Sequence, residues 1–326
     1  MQQMLQHMNK QQPMADATGK SFDPHYLAAK KSIDDRALNQ YVWQTLYKSL
    51  RQMAGLAEKN GEPLQIVEVG AGIGTMLARI VDRQLLTGPV SYLFIDNDPT
   101  QLQEARAYLS HWAKNNGYNL SWSGASCGQL ITPETDITLC LEHTGIEELA
   151  ARTCPPGPFH LLFAHAVLDL VDFTVVLPRL LARLVGNGLA YLTCNFDGET
   201  IFLPSCSADE AILKLYHKSM DERLAGASHT GRRLLSFLQG LNLEILAAGS
   251  SDWIIHPRNL QYFPDEVFFL HAIIETVHRE LAQKNKPLAS LTHWARLRHE
   301  QVESGELSFL ARHLDLLAKV SDSSLA

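Results

Sequence analysis

The stretch Gln65-Ile66-Val67-Glu68-Val69-Gly70-Ala71-Gly72-Ile73-Gly74-Thr75 decides the fold of this chain. A β-branched run ends in an acidic residue one step before its last valine, and three glycines follow at alternate positions before an apolar, helix-like segment. This order predicts a strand, a tight turn and a helix N-terminus. Glycine lets the backbone turn sharply and lets a ligand approach the main chain, and the first N–H groups of a helix can receive a polar group.

A second segment, Val90-Ser-Tyr-Leu-Phe-Ile-Asp96, predicts the next strand, with a carboxylate at its end. In an open parallel sheet this end lies beside the first turn, where the strand order reverses. A carboxylate there can accept hydrogen bonds from two neighbouring ribose hydroxyls. The two segments together predict a nucleoside-containing cofactor that lies across two strand ends.

Two classes of cofactor compete for this pattern. The dinucleotide fingerprint G-x-G-x-x-G would place its last glycine at position 75, which is Thr in this chain. That fingerprint also includes no acidic residue at the position of Glu68. The sequence E-x-G-x-G-x-G, followed by I-D-N-D at residues 95–98, instead resembles the first motifs of the class I S-adenosylmethionine-dependent methyltransferases. The resemblance covers roughly residues 60–257 and favours S-adenosyl-L-methionine, with S-adenosyl-L-homocysteine as the product, over a nicotinamide or flavin nucleotide.

The resemblance implies a role for each residue of the motif. The glycines would hold the methionine moiety, Glu68 would meet its amino group, and Asp96 would bind the ribose hydroxyls. Members of the family often carry an acid for the adenine amino group where this chain has Gly145, so that acid is either absent or supplied by Glu142. The cofactor-binding residues predicted in this way are Glu68, Gly70, Ala71, Gly72, Gly74, Asp96, Asn97, His143, Thr144 and His165.

His165, at the end of the fourth predicted strand, stands where the family often has Asn or Asp. An imidazole there could accept a proton from the substrate, or it could shape the pocket through a hydrogen bond without any proton transfer. The predicted substrate contacts are Asn39, Asp169, Arg232 and Trp253. For Arg232, near the start of a helix, the more common explanation is a salt bridge to a nearby acid.

The predicted fold is α/β: a Rossmann-like, doubly wound, seven-stranded sheet with an N-terminal helix and a C-terminal helical extension. Residues 115–136 are expected to be irregular, and residues 243–249 and 252–257 to pair as an antiparallel edge. Ser32 and Asp35 suggest a capping box at the start of the first helix. The predicted segments are a disordered tail (1–24), a lid helix (25–60), the methyltransferase core (61–257) with a helical insertion (about 205–228), and an extension (258–326) whose helices include residues 307–317.

Composition limits the class of protein. The formal net charge of −7 argues against nucleic acid as a partner, because phosphate binding depends on clusters of Lys and Arg. The chain has no run of about 18 apolar residues, so no membrane partner is expected. Five cysteines without a C-x-x-C pair, and fourteen histidines without a ligand-like spacing, predict reduced thiols, a cytoplasmic location and no metal.

The predicted activity is transfer of a methyl group from the sulfonium to a small-molecule acceptor by in-line displacement. No N-P-P-Y-like tetrad follows the fourth strand, so O-, N- and C-methylation all stay open. Two other classes are carried: a non-catalytic or regulatory protein that binds S-adenosylmethionine, and a nucleotide-dependent oxidoreductase. The C-terminal helices could form a homodimer surface.

Overall fold

The structure is a computed structural model that describes residues 23–152, 157–241, 243–283 and 289–321. The predicted disordered tail therefore lies almost entirely outside the described residues. The described strands are β1 (Leu64–Val69), β2 (Gly88–Asp96), β3 (Asn119–Ser123), β4 (Cys127–Ile131), β5 (Thr135–His143), β6 (Phe159–His165), β7 (Leu184–Leu203), β8 (Leu243–Ser250), β9 (Trp253–Ile255) and β10 (Ser308–Val320).

The described strands form one ten-stranded sheet in the order β3-β4-β5-β2-β1-β6-β7-β10-β8, with β9 paired to β10. Strands β5, β2, β1, β6 and β7 are parallel neighbours, and β10 runs antiparallel between β7 and β8. The order reverses at β1, as expected of a doubly wound fold. The predicted α/β class and doubly wound sheet are confirmed, but the predicted count of seven strands is wrong.

Three strands account for the difference in number. Residues 115–136, expected to be irregular, contain the antiparallel hairpin β3–β4, which extends the sheet beyond β5. The third is β9, which pairs with β10 through Phe309 and Ile255 instead of forming an edge with β8. The seven remaining strands supply the doubly wound core.

Strand β10 corrects the prediction of a helix over residues 307–317. Its first six residues alternate between partly and fully buried positions up to His313, apart from an exposed Arg312, and the strand lies between β7 and β8. A short apolar run is compatible with the period of a helix and with that of a strand. Pairing with distant strands therefore decides which of the two forms. The segment beyond residue 257 thus contributes a strand to the sheet, between β7 and β8.

The helices pack on both faces of the sheet and above its strand ends. One face is covered by α2 (Gln40–Asn60), α3 (Thr75–Asp82) and α4 (Pro99–Asn115), and the other by α5 (Ile146–Ala151), α6 (Phe173–Leu181) and α8 (Thr230–Gln239), which follows a short 3₁₀ turn (Ala227–His229). A third apolar cluster joins α1 (Pro24–Ala37), α7 (Asp209–Arg223), α9 (Pro264–Gln283) and α10 (Ala289–Glu303). These last four helices are called the cap below. None of the described helices is long and apolar enough to cross a lipid bilayer.

The predicted lid helix is two helices, α1 and α2. Asp23, not Ser32, caps α1, because its carboxylate accepts the N–H of His25, whereas the Ser32 hydroxyl donates to the carbonyl of Ala29 inside the helix. The Asn39 side chain caps α2 by accepting the N–H groups of Tyr41 and Val42. Asparagine is among the preferred N-cap residues, so the break between the helices has a local cause.

Candidate active site

The glycine turn joins β1 to α3 at the end of the parallel strands. Gly70, Gly72 and Gly74 all have positive φ angles, of 65°, 53° and 82°. A Cβ on Gly70 would come within 2.5 Å of a Val167 methyl group, so this glycine is needed for space as well as for backbone conformation. The N–H of Ala71 donates to the carbonyl of Ile95 at 3.0 Å, which fixes the turn against β2.

Asp96 lies beside this turn, as the sequence predicted. Its Oδ2 accepts the N–H of Gly72 at 2.8 Å and its Oδ1 accepts the N–H of Asp98 at 3.0 Å. Burial raises the pKa of this carboxyl, and the two N–H donors offset part of that effect. Because each carboxylate oxygen can accept a second hydrogen bond, Asp96 retains capacity for two hydroxyl donors.

Glu68 is 2% exposed, and it lines the same cavity as Gly70 and Asp96. The Tyr92 hydroxyl donates to its Oε2 at 2.7 Å. Burial raises the pKa of Glu68 to about 8, against the lowering effects of Tyr92 and Arg79. Its carboxyl group therefore prefers the neutral form until a cation approaches it.

His165 ends β6 with both ring nitrogens occupied. Nε2 lies 2.9 Å from Oδ2 of Asp34, and Nδ1 lies 2.8 Å from the Thr193 hydroxyl. A carboxylate can only accept, so Nε2 carries the hydrogen and Nδ1 accepts from the hydroxyl. Burial lowers the pKa of His165 to about 4 despite the neighbouring Asp34. No nitrogen is left to take a proton from a substrate, and the geometry corresponds to the pocket-shaping alternative rather than to a base.

Asp34 is the centre of a buried polar cluster that the sequence did not reveal. Its carboxylate lies 2.6 Å from the Lys30 ammonium and accepts the Trp253 indole N–H at 2.9 Å, in addition to the His165 contact. Burial would raise its pKa, but Lys30, His165 and Arg79 outweigh that effect and lower it. The only sequence signal was the i, i+4 spacing of Lys30 and Asp34. The cluster joins α1 to β6 and β9.

Asp34, His165 and Cys194 place their ligand-type atoms within 4.8 Å of one another, as in some metal sites. The surroundings are cationic, however: the Lys30 ammonium lies 2.6 Å and the Arg79 guanidinium 3.9 Å from the Asp34 carboxylate. Burial also raises the pKa of the Cys194 thiol well above its ordinary value. A further cation would be repelled here, so the trio serves the hydrogen-bond cluster.

The cluster borders a cavity of about 920 Å³ between the strand ends and the cap. On the sheet side it is lined by Glu68, the turn from Gly70 to Ile73, Asp96 and Asn97. On the cap side it reaches α1, α7, α9 and β10. Other residues that line the cavity were not indicated by any sequence pattern. Among them are Tyr26, Lys30, Tyr216, Met220, Arg279 and His313.

Of the predicted substrate contacts, Asp169 and Trp253 line the cavity. Oδ1 of Asp169 is buried and has no hydrogen-bond partner within the described part of the chain, and burial raises the pKa of this carboxyl. A buried acceptor without a partner is costly, so Asp169 is suited to a donor brought by a ligand.

The other two predicted substrate contacts do not line the cavity. Asn39 caps α2, and its amide N–H donates to the carbonyl of Ser250. Arg232 donates to both carboxylate oxygens of Asp197, at 2.7 and 3.1 Å. Both residues have structural partners that sequence spacing could not show, since the partners are far away along the chain.

The remaining predicted cofactor residues lie around the cavity rather than in it. Gly74 is the N-cap of α3, the N–H of Thr144 donates to the carbonyl of Asp96, and Nε2 of His143 lies 3.1 Å from the carbonyl of Asn97. Glu142, the alternative adenine acid, is paired with Arg152. The Glu142 carboxylate therefore already has a cationic partner.

Comparisons with known proteins give a likeness of fold. The chain is similar to a putative methyltransferase from Bacillus halodurans, at 15% identity over 84% of this chain and 98% of that one, with a TM-score of 0.44. It is similar to a putative sarcosine dimethylglycine methyltransferase from Galdieria sulphuraria (14% identity, 84% and 86% covered, TM-score 0.39) and to a geranyl diphosphate methyltransferase (11% identity, 79% and 78% covered, TM-score 0.38).

No protein-family model matches the chain, and no curated protein matches it. The identities and TM-scores of the solved structures are too low to bear on the activity.

Proposed function

We propose that this chain is an S-adenosylmethionine-dependent methyltransferase of the class I superfamily that acts on a small molecule. The observation that carries the proposal is the Asp96 carboxylate, held at 2.8 Å by the N–H of Gly72. This hydrogen bond holds the second acid, Asp96, against the glycine turn, and both line a cavity that extends to the cap. This is the arrangement that a nucleoside with a charged tail requires.

The residues present fit this cofactor. Asp96 has acceptor capacity left for two ribose hydroxyls, and Gly70 and Gly72 line the cavity beside it. Glu68 is a buried carboxyl that an ammonium group would ionise and pair with. Asn97 lines the cavity beside them, and Gly74, His143 and Thr144 support the surrounding backbone.

When bound, S-adenosylmethionine supplies a methyl group already activated by the sulfonium. The protein therefore has to align the acceptor and exclude water. The cap and β9 close the cavity opposite the glycine turn with apolar and aromatic side chains, among them Tyr26 and Met220 from the cap and Trp253 from β9. Asp169 offers a free carboxylate oxygen on the acceptor side.

The open cavity supports catalysis over a binding-only role. A regulatory protein of this fold could have large side chains filling the space beyond the cofactor, whereas here Asp169 and Trp253 border a volume that a second molecule can enter. An oxidoreductase would need a nicotinamide to cross the sheet, and position 75 is Thr where the dinucleotide fingerprint asks for glycine.

Calorimetric titration tests the proposal. S-adenosylmethionine and S-adenosylhomocysteine should each bind the wild-type protein with a Kd in the micromolar range. Asp96→Ala should abolish both titrations, and Asp265→Ala, which removes an exposed carboxylate from the first turn of α9, should leave them unchanged. No heat with either compound, together with binding of NADH, would replace the methyltransferase by an oxidoreductase.

A further inference from the structure

His313 on β10 is the second histidine of the cavity, and it is placed differently from His165. It is 3% exposed and lines the cavity on the cap side. Its Nδ1 lies 3.0 Å from the carbonyl of Ala311. A carbonyl only accepts, so Nδ1 carries the hydrogen and Nε2 of the neutral ring carries the lone pair.

Nε2 of His313 is the atom left for a ligand. Within residues 23–152, 157–241, 243–283 and 289–321, no group is hydrogen-bonded to it. Burial lowers the pKa of His313 to about 4, and Lys30 adds to this effect, so the ring is neutral near pH 7. A neutral imidazole with a free Nε2 accepts a hydrogen bond from an O–H or N–H group.

The ring is held firmly in place. Its centroid lies 4.2 Å from that of Trp253 and 5.7 Å from that of Phe196. The backbone is fixed on both sides, because the N–H of His313 donates to Asp252 and its carbonyl accepts from the N–H of Ser251. A fixed ring with one free nitrogen is a preorganised acceptor.

His313 lies beside the buried Asp34 cluster. Trp253, against which it packs, donates to Asp34, and Asp34 binds His165 at the end of β6. The ring therefore packs directly against a member of this cluster. The neighbouring cavity walls include the aromatic side chains of Phe196, Trp253 and Phe309, and the Lys30 ammonium lies 5.0 Å from the centroid of the Trp253 ring.

We propose that Nε2 of His313 accepts the hydroxyl proton of the methyl acceptor, and that this acceptor is a hydroxyl compound with an apolar, ring-bearing body. The proposal rests on the methyltransferase function proposed above. Of the three reactions that the sequence left open, O-, N- and C-methylation, the proposal selects O-methylation. It also gives the catalytic role that was predicted for His165 to a different histidine.

The proposed step balances in atoms and charge. The acceptor oxygen forms its bond to the methyl carbon while the carbon–sulfur bond breaks and its electron pair stays on sulfur. The hydroxyl proton goes to Nε2 of His313. The products are a neutral methyl ether, a neutral thioether and an imidazolium, so the positive charge moves within the cavity rather than being created. The imidazolium then releases its proton to water.

The first test is nitrogen NMR of protein labelled in its imidazole rings, which needs no cofactor. His313 should show an Nδ1–H ring with a pyridine-type Nε2, whereas His165 should show the opposite tautomer, since its Nε2 donates to Asp34. His313→Gln removes and so assigns the signal. His313 in the Nε2–H tautomer, or with both nitrogens protonated at pH 7, would overturn the proposal.

The second test uses phenol as the probe, with S-adenosylhomocysteine at saturation. Phenol should shift the His313 Nε2 signal, and anisole, which has the ring but no hydroxyl, should not. His313→Gln should weaken phenol binding about tenfold with the Kd of S-adenosylhomocysteine unchanged, and the control His256→Gln on the exposed surface should alter neither. A shift with aniline but not phenol would assign an N–H acceptor instead and contradict the hydroxyl.

The two proposals can fail separately. If S-adenosylhomocysteine does not bind the wild-type protein, the methyltransferase function fails whatever the NMR shows. If it binds but phenol leaves the His313 signal unmoved, the assignment of His313 fails and the methyltransferase function stands.

Discussion

The buried carboxyl of Glu68 makes the stability of the folded protein depend on pH. Its side chain is among the buried polar groups, and burial raises its pKa from 4.5 to about 8. The folded protein therefore holds a proton that the unfolded chain releases above about pH 4.5. Where the native state binds the extra proton, stability falls as pH rises.

Substitution of Glu68 by Gln should flatten this dependence. The contribution of Glu68 to stability is present in full below about pH 4.5 and is lost as the pH rises to about 8. Gln cannot ionise, so Glu68→Gln should gain stability relative to wild type between pH 5 and pH 8, as measured by urea unfolding at both values. Glu210→Gln, on the exposed face of α7, serves as the control. Equal differences at both pH values would contradict the expected titration.

The two cavity histidines differ in ways that only their partners reveal. His165 is occupied on both nitrogens, and His313 on one. The sequence points to His165 because it ends a predicted strand, at a position where the resembling family often has Asn or Asp. It could not point to His313, because residues 307–317 were expected to form a helix.

At the scale of elements, the attachment of α1 to the sheet depends on buried charge. Lys30 and Asp34 lie on α1 with side chains 10% and 3% exposed, and Asp34 also contacts His165 and Trp253. Breaking a buried ion pair leaves its partner charge without compensation, which is far more costly than losing a surface pair.

Asp34→Asn should therefore destabilise the protein by about 3–5 kcal/mol, because Lys30 would remain buried without its counter-charge. The measurement is urea unfolding at pH 7. Asp23→Asn, at the N-cap of the same helix, should change stability by less than about 0.5 kcal/mol, since Asn caps a helix as well as Asp does. Equal effects of the two substitutions would show that the Asp34 cluster contributes no more to the free energy of unfolding than the helix cap does.

The pairing of β4 with β5 brings two cysteines together. Cys127 on β4 lies directly opposite Cys140 on β5, with their Sγ atoms 3.9 Å apart. The N–H of Leu141 donates to the carbonyl of Ser126, the adjacent pair of opposite residues. Cys127 and Cys140 therefore form the non-hydrogen-bonded pair, in which side chains approach most closely.

Mild oxidation with diamide should join Cys127 to Cys140. The two thiols lose two electrons and two protons, which the reagent takes up, and the close Sγ atoms need only a small rotation to bond. Peptide mapping by mass spectrometry would detect the cross-link, and Cys127→Ser should abolish it. Cross-links dominated by Cys206 instead would contradict the register of β4 and β5.

At the scale of the whole molecule, the cavity depends on two layers that are distant in sequence. The sheet supplies the glycine turn and Asp96, and the cap supplies α1, α7 and α9. A ligand that fills the cavity contacts both layers, so it should stabilise both.

S-adenosylhomocysteine should slow backbone hydrogen exchange in residues 70–75 and in α1 together, because binding stabilises the native state by about 2.7 kcal/mol at 100 times the Kd. The hairpin β3–β4 lies away from the cavity and provides an internal control. Protection confined to residues 70–75, with α1 unchanged, would show that the cap does not close over the cofactor.

Features that depend on neighbours along the chain follow from local sequence patterns. The strand, glycine turn and helix around Gly70 follow from apolar periodicity and glycine conformation, and the position of Asp96 follows from the same sheet geometry. The doubly wound class could be predicted from these local patterns, which repeat along the parallel strands.

The remaining features depend on contacts between residues that are distant along the chain. Strand β10 forms because β7 and β8 bind it from both sides, Asn39 and Arg232 have distant structural partners, and the Asp34 cluster joins α1 to residues more than a hundred positions away. Helical and extended conformations of a short apolar run differ little in local free energy, so long-range pairing selects between them. The same pairing carries His313 into the cavity, which is why no local pattern could have predicted it.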